Sequence, residues 1–167
     1  MGQDRSMKSA AILEASILAR FDRRQVMIVP CGGSKVDSTV AARDLYTGSA
    51  FGEVLAAAIC EVGEENVMIL SAEHGLLELD ALVAPYDTKM GDADAIDRRD
   101  GGLLDLAAQI LSYGLDEADV FAMVPKKYLA ILDEAMRFAA DRPVAPVYED
   151  LLGIGEQKAV AKILRNR

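Results

Sequence analysis

The hydrophobic residues fall into two patterns. Gln25–Pro30 (QVMIVP), Val67–Leu70 and Asp119–Val124 are short apolar runs without alternation, the mark of strands covered on both faces. Between them, apolar residues recur at helical spacing. Gly48–Val62 carries Phe51, Val54, Leu55 and Ile59 on one face, and Gly63 is a natural terminator. Lys126–Ala140 follows Pro125, which suits a helix start. Lys8–Phe21 reads as a helix with Ile12, Ile17 and Leu18 inward, and Tyr148–Leu164 as a helical segment around a Gly153-Ile154-Gly155 turn. Ala93–Tyr113 is also helical in pattern, but Gly101 and Gly102 each cost about 1 kcal/mol against alanine in a helix interior, which predicts a break. Val36–Arg43 reads as polar loop and Ser71–Gly91 as a long turn-rich stretch. Val144–Val147 reads as a short fourth strand.

Strands alternating with helices predict a three-layer, Rossmann-like α/β fold. Its sheet is mainly parallel, of three or four strands, with helices on both faces. The length of 167 residues fits one domain spanning 1–167, with residues 1–24 as an N-terminal helical extension and 148–167 as a C-terminal segment resembling a helix-hairpin-helix. A chain of this size buries roughly two-thirds of its unfolded surface and needs no staples.

Composition narrows the function classes. The net charge of −9 repels a phosphate backbone at long range and disfavours generic duplex binding. Two cysteines, Cys31 and Cys60, make no disulfide framework. With no secretory pattern, a cytoplasmic setting is expected. The apolar runs are too short for a bilayer span, and one histidine with two cysteines argues against a structural zinc site. No metal or cofactor is expected.

In open parallel sheets ligands bind beyond the carboxyl ends of the strands, and reactive residues cluster there. Cys31, Ser34 and Lys35 follow the first strand, Ser71, Glu73 and His74 the second, and Lys126 and Tyr128 the third. In Cys31-Gly32-Gly33-Ser34-Lys35, small residues offer backbone N–H groups to an anion beside a cation; the alternative is a tight turn with an exposed lysine. Cys31 is a nucleophile if its pKa is lowered, and otherwise a small apolar filler. His74, the sole histidine, suits acid–base work or the shaping of the turn before Gly75. Tyr86 and Asp87 can return to the same edge, Asp87 to orient His74 or bind a ligand hydroxyl, although Pro85-Tyr86-Asp87 is also ordinary turn chemistry. Asp44, Tyr46 and Ser49 precede or open the second helix, which Thr47 or Ser49 can cap. Arg98 and Arg99 read as solvated surface charges. Finally, Gly153 and Gly155 with Lys158 and Lys162 match half of a hairpin whose glycines admit a nucleic-acid phosphate. The same stretch also reads as a turn packing the C-terminus onto the sheet.

Taken together, Cys31-Gly-Gly-Ser-Lys35, Asp44-Leu-Tyr-Thr-Gly-Ser49-Ala-Phe51, Leu70-Ser-Ala-Glu-His-Gly-Leu-Leu77, Pro85-Tyr-Asp87 and Leu152-Gly-Ile-Gly155 resemble the YaaA-like proteins over roughly Val26–Leu164. Pro30, Cys31, Lys35, Tyr46 and Ser49 are also similar to a motif of archaeosine synthase, with an insertion between Lys35 and Tyr46 and with Gly52 where that motif ends in histidine. The resemblance implies a nucleobase, nucleoside or nucleotide as ligand. An enzyme of glycosidase or transferase type would then use His74, Cys31 and Asp87 for chemistry. Gly32, Gly33, Ser34, Lys35, Asp44, Tyr46, Ser49, Ser71, Glu73 and Tyr86 would bind, with Tyr46 or Tyr86 stacking on the base. The alternative is a nucleic-acid-binding module using Gly153–Lys162.

Overall fold

A computed structural model describes residues 23–147. The first strand, β1 (Gln25–Pro30), lies at the centre. It is followed by β2 (Val40–Ala41), a single turn α1 (Ala42–Leu45), helix α2 (Ser49–Val62) and β3 (Val67–Ser71). Then come β4 (Gly75–Glu78), β5 (Leu82–Val83), α3 (Gly102–Ser112), β6 (Asp119–Ala122), α4 (Lys126–Ala140) and β7 (Ala145–Pro146). The main sheet runs β4-β3-β1-β6-β7, parallel throughout except for β4, which pairs antiparallel with β3.

Each face of β1 builds one apolar cluster. Val26 and Ile28 join Met68, Leu70 and Val120 beneath Leu106 and Ile110 of α3 and Leu132 and Met136 of α4. Met27 and Val29 join Val67 and Ile69 beneath Leu45, Phe51 and Val54. The apolar run of β1 is therefore uninterrupted because both of its faces meet helices. The result is the expected three-layer α/β arrangement.

The edges of the sheet differ from the sequence reading. The stretch 71–91 holds two strands: β4 extends the main sheet antiparallel, and β5 pairs with β2 as a separate ribbon. Residues 36–39 are loop as expected, whereas residues 40–43 form β2 and the start of α1. The break expected at Gly101 and Gly102 is present, with Gly101 at φ +74°, but only the part after it, from Gly102, is helix. Residues ahead of it are held by turns, and Ile96 N–H donates to the Ala72 carbonyl at 2.7 Å. The two-strand ribbon gives too few side chains for periodicity to register, whereas the short strand read at Val144–Val147 is present as β7. The predicted segments 8–21 and 148–164 lie outside the described residues.

The order of connections creates a switch point at β1. From β1 the chain crosses to β3 on one side, adds β4, then returns to β6 on the other side. Loops leaving β1 and β6 consequently part from each other, opening the crevice where such folds hold ligands.

Candidate functional site

Parallel pairing sets Pro30 beside Leu70, and Cys31 N–H continues the ladder to the Leu70 carbonyl at 3.1 Å. The segments Cys31–Lys35 and Ser71–His74 thus leave the sheet side by side. The first segment then folds against the Asp44–Ser49 stretch. Lys35 and Tyr46 form an antiparallel bridge, flanked by Val36 N–H to Leu45 O at 2.9 Å and Thr47 N–H to Ser34 O at 3.0 Å. Gly32 permits this approach, since a Cβ there would sit 2.9 Å from Tyr46 Cβ, whereas Gly33 faces open space.

At the join lies a chain of hydroxyls. Ser71 is the buried polar side chain of the described core. Its Oγ accepts from the backbone N–H groups of Glu73 and His74 at 3.2 and 3.0 Å and donates to the Tyr86 hydroxyl at 2.8 Å. Tyr86 and Tyr46 share a further 2.8 Å bond. Burial drives the Tyr46 phenol up to about 12 and pushes Tyr86 higher still. Both phenols are therefore neutral hydrogen-bonding groups at physiological pH. The Lys35 ammonium sits 4.2 Å above the Tyr86 ring and donates to Gly33 O at 3.3 Å, a cation–π arrangement. The His74 ring meets the Tyr86 ring edge-on, centroids 5.2 Å apart.

Three site expectations change here. The carboxylate within reach of His74 is that of Glu73, at 3.8 Å from Nε2, and Thr88 in turn holds Glu73 with a 2.8 Å bond. Asp87 is exposed and lines a cavity with Lys35 and Tyr86. Tyr46 offers no ring for stacking, because it is buried and packs against Phe51 with centroids 4.8 Å apart. Helix α2 is capped neither by Thr47 nor by Ser49: its N-cap is Gly48, and Ser49 is the first helical residue. Asp44 lies in α1 and is exposed.

Sequence reading passed over two supports. Arg99, expected to be solvated, is half-buried. It donates to the Glu73 carbonyl at 2.8 Å and pairs with Asp105 at 2.9 Å. Gln109 on α3 straddles Gly75, donating to His74 O at 2.8 Å and accepting from Leu76 N–H at 2.7 Å. A long-range clamp of this kind leaves no local sequence signal. Across the switch point, Cys31 is half-buried between the two clusters, with its Sγ 3.3 Å from the Tyr128 hydroxyl. Burial also pushes the Tyr128 phenol up.

The cavity beside Tyr86 is about 330 Å³, walled by Gly33, Lys35, Asp37, Pro85 and Asp87. Another, of about 520 Å³, opens at the amino ends of β1 and β3. There Arg43 pairs with Glu64 and with Asp80, so its charges answer one another, and neither His74 nor the hydroxyl chain reaches it. The candidate site adjoins the smaller one: Lys35 and Tyr86 line it, and Ser71, Tyr46 and His74 each contact Tyr86. Among the described residues, no three histidine, cysteine or acidic side chains gather as a metal site, and no helix is long and apolar enough to cross a membrane.

Residues 26–163 match the model of a family of unknown function, DUF6884. The chain belongs to this family. No curated protein and no solved structure matches it. The DUF6884 match takes in both rim segments, the α2 motif and Tyr86. It also covers Gly153, Gly155, Lys158 and Lys162, which lie outside the described residues.

Proposed function

We propose that this protein binds and processes a nucleobase, nucleoside or nucleotide at the carboxyl rim of β1 and β3. One observation carries the reading: Lys35, Tyr46, Ser71, His74 and Tyr86 converge there through a connected set of contacts. Such a site combines an aromatic wall, neutral phenol donors, a cation and one imidazole, which suits a planar heterocycle bearing polar substituents. The similarity of Cys31, Lys35, Tyr46 and Ser49 to the archaeosine synthase motif supports the same ligand class.

In this reading His74 moves a proton on or off the ligand, with the Glu73 carboxylate 3.8 Å from its Nε2. Tyr86 and Tyr46 hold a ligand oxygen, and Asp87 meets sugar hydroxyls. Base modification or cleavage of an N-glycosidic bond is the reaction class. His74→Ala is expected to keep the melting temperature within a few degrees while removing turnover of a panel of bases, nucleosides and nucleotides. Full turnover by that variant would reject the assignment of His74.

A further inference from the structure

The charges and donors of the cavity define its ligand more closely. The charged side chains on its wall are Lys35, Asp37 and Asp87, one cation against two carboxylates. Lys35 is already engaged with the Tyr86 ring and the Gly33 carbonyl. A phosphate entering this cavity would face an excess of negative charge on the wall, inside a chain of net charge −9.

The hydroxyl chain is directional. Ser71 Oγ accepts two backbone N–H bonds, so its own hydrogen goes to Tyr86. The Tyr46–Tyr86 bond uses one phenolic hydrogen of the two. Of these three hydroxyl residues, Tyr86 is the one that lines the cavity. Burial keeps both phenols protonated at neutral pH. The cavity thus offers the neutral Tyr86 phenol together with two carboxylate acceptors on its wall. Its volume of about 330 Å³ lies near the lower bound of ligand pockets, roughly 300–1,000 Å³.

From this we infer that the ligand is uncharged: a free base or nucleoside that presents a carbonyl oxygen to Tyr86 and hydroxyl or amino groups to Asp37 and Asp87. The inference rests on the proposed nucleobase reading and narrows it against phosphorylated forms.

The test compares each nucleoside with its own 5′-monophosphate, and with inorganic phosphate alone, at low ionic strength. Binding is followed by thermal shift and by the ring resonances of His74, which are unambiguous because the chain has one histidine. At least one nucleoside is expected to raise the melting temperature and move the His74 signals. Its monophosphate should bind about three- to tenfold more weakly, the scale of repulsion from two partly solvated carboxylates. Phosphate alone should do neither. Asp87→Asn and Asp37→Asn, both at exposed positions, should each narrow the gap between nucleoside and monophosphate. A monophosphate that binds as tightly as its nucleoside, with affinity falling as salt rises, overturns this inference and leaves the nucleotide reading in place. Silence from every base, nucleoside and nucleotide overturns both.

Discussion

Two neighbouring glycines show how finely the site is set at the scale of single residues. Gly32 lies under Tyr46, and an added methyl would press on its Cβ at 2.9 Å, while Gly33 has nothing within 4 Å. Crowding a packed contact costs roughly 1–3 kcal/mol, whereas an exposed substitution away from special features stays within about 0.5 kcal/mol. Gly32→Ala is therefore expected to lower the urea midpoint clearly and Gly33→Ala hardly at all. Equal effects would mean that Tyr46 does not rest on Gly32. Sequence inspection treats the pair as one flexible turn. It is the tertiary approach of Tyr46, 14 residues downstream, that separates them.

At the scale of elements, the His74 loop is held by a helix that is distant in sequence. Gln109 closes both sides of Gly75, whose φ of +75° makes the turn from β3 into β4. Arg99 adds a third tie through the Glu73 carbonyl. Gln109→Ala leaves Leu76 N–H and His74 O without this partner, and a lost partner for half-buried backbone groups costs about 1–3 kcal/mol. Chemical denaturation should register that loss, and the His74 ring resonances should move because the backbone of His74 is released. A change in stability with unmoved His74 resonances would make Gln109 a general packing residue and not a positioning one. The antiparallel β4 was illegible beforehand for a related reason. Leu76 and Leu77 look like part of an irregular turn-rich stretch until β3 supplies a ladder for them.

At the scale of the molecule, stability concentrates in β1. Ile28 is wholly buried within one apolar cluster, and Val29 within the other. Removing a buried isoleucine side chain to alanine costs about 2–5 kcal/mol, a large share of the 5–15 kcal/mol typical of a domain. Ile28→Ala should lower the melting temperature by many degrees. Leu82→Ala, at a position 78% exposed, should leave it nearly unchanged. Equal shifts would contradict the central position of β1. The same placement organises the candidate site, since loops from β1 and β3 carry its residues and β6 brings Tyr128 across the switch point to Cys31.

Local chemistry alone sufficed for the parts of the chain whose neighbours in sequence are also their partners. The bounds of β1 and of α4, the end of α2 at Gly63, and the layered α/β class all follow from apolar runs, helical spacing and punctuating Gly and Pro. The sequence also located the rim, because strand ends rich in Ser, Glu, His and Lys are visible as text. Only the folded chain decided which of those residues meet. It gave His74 the carboxylate of Glu73 instead of Asp87 and withdrew the ring of Tyr46 into the core. It also set Asp37 and Asp87 on the cavity wall beside Lys35. The bonds of Tyr86 to Ser71 and Tyr46, and of Thr88 to Glu73, join residues from 15 to 40 apart, and such distances are closed by sheet order and helix packing, which no local pattern encodes.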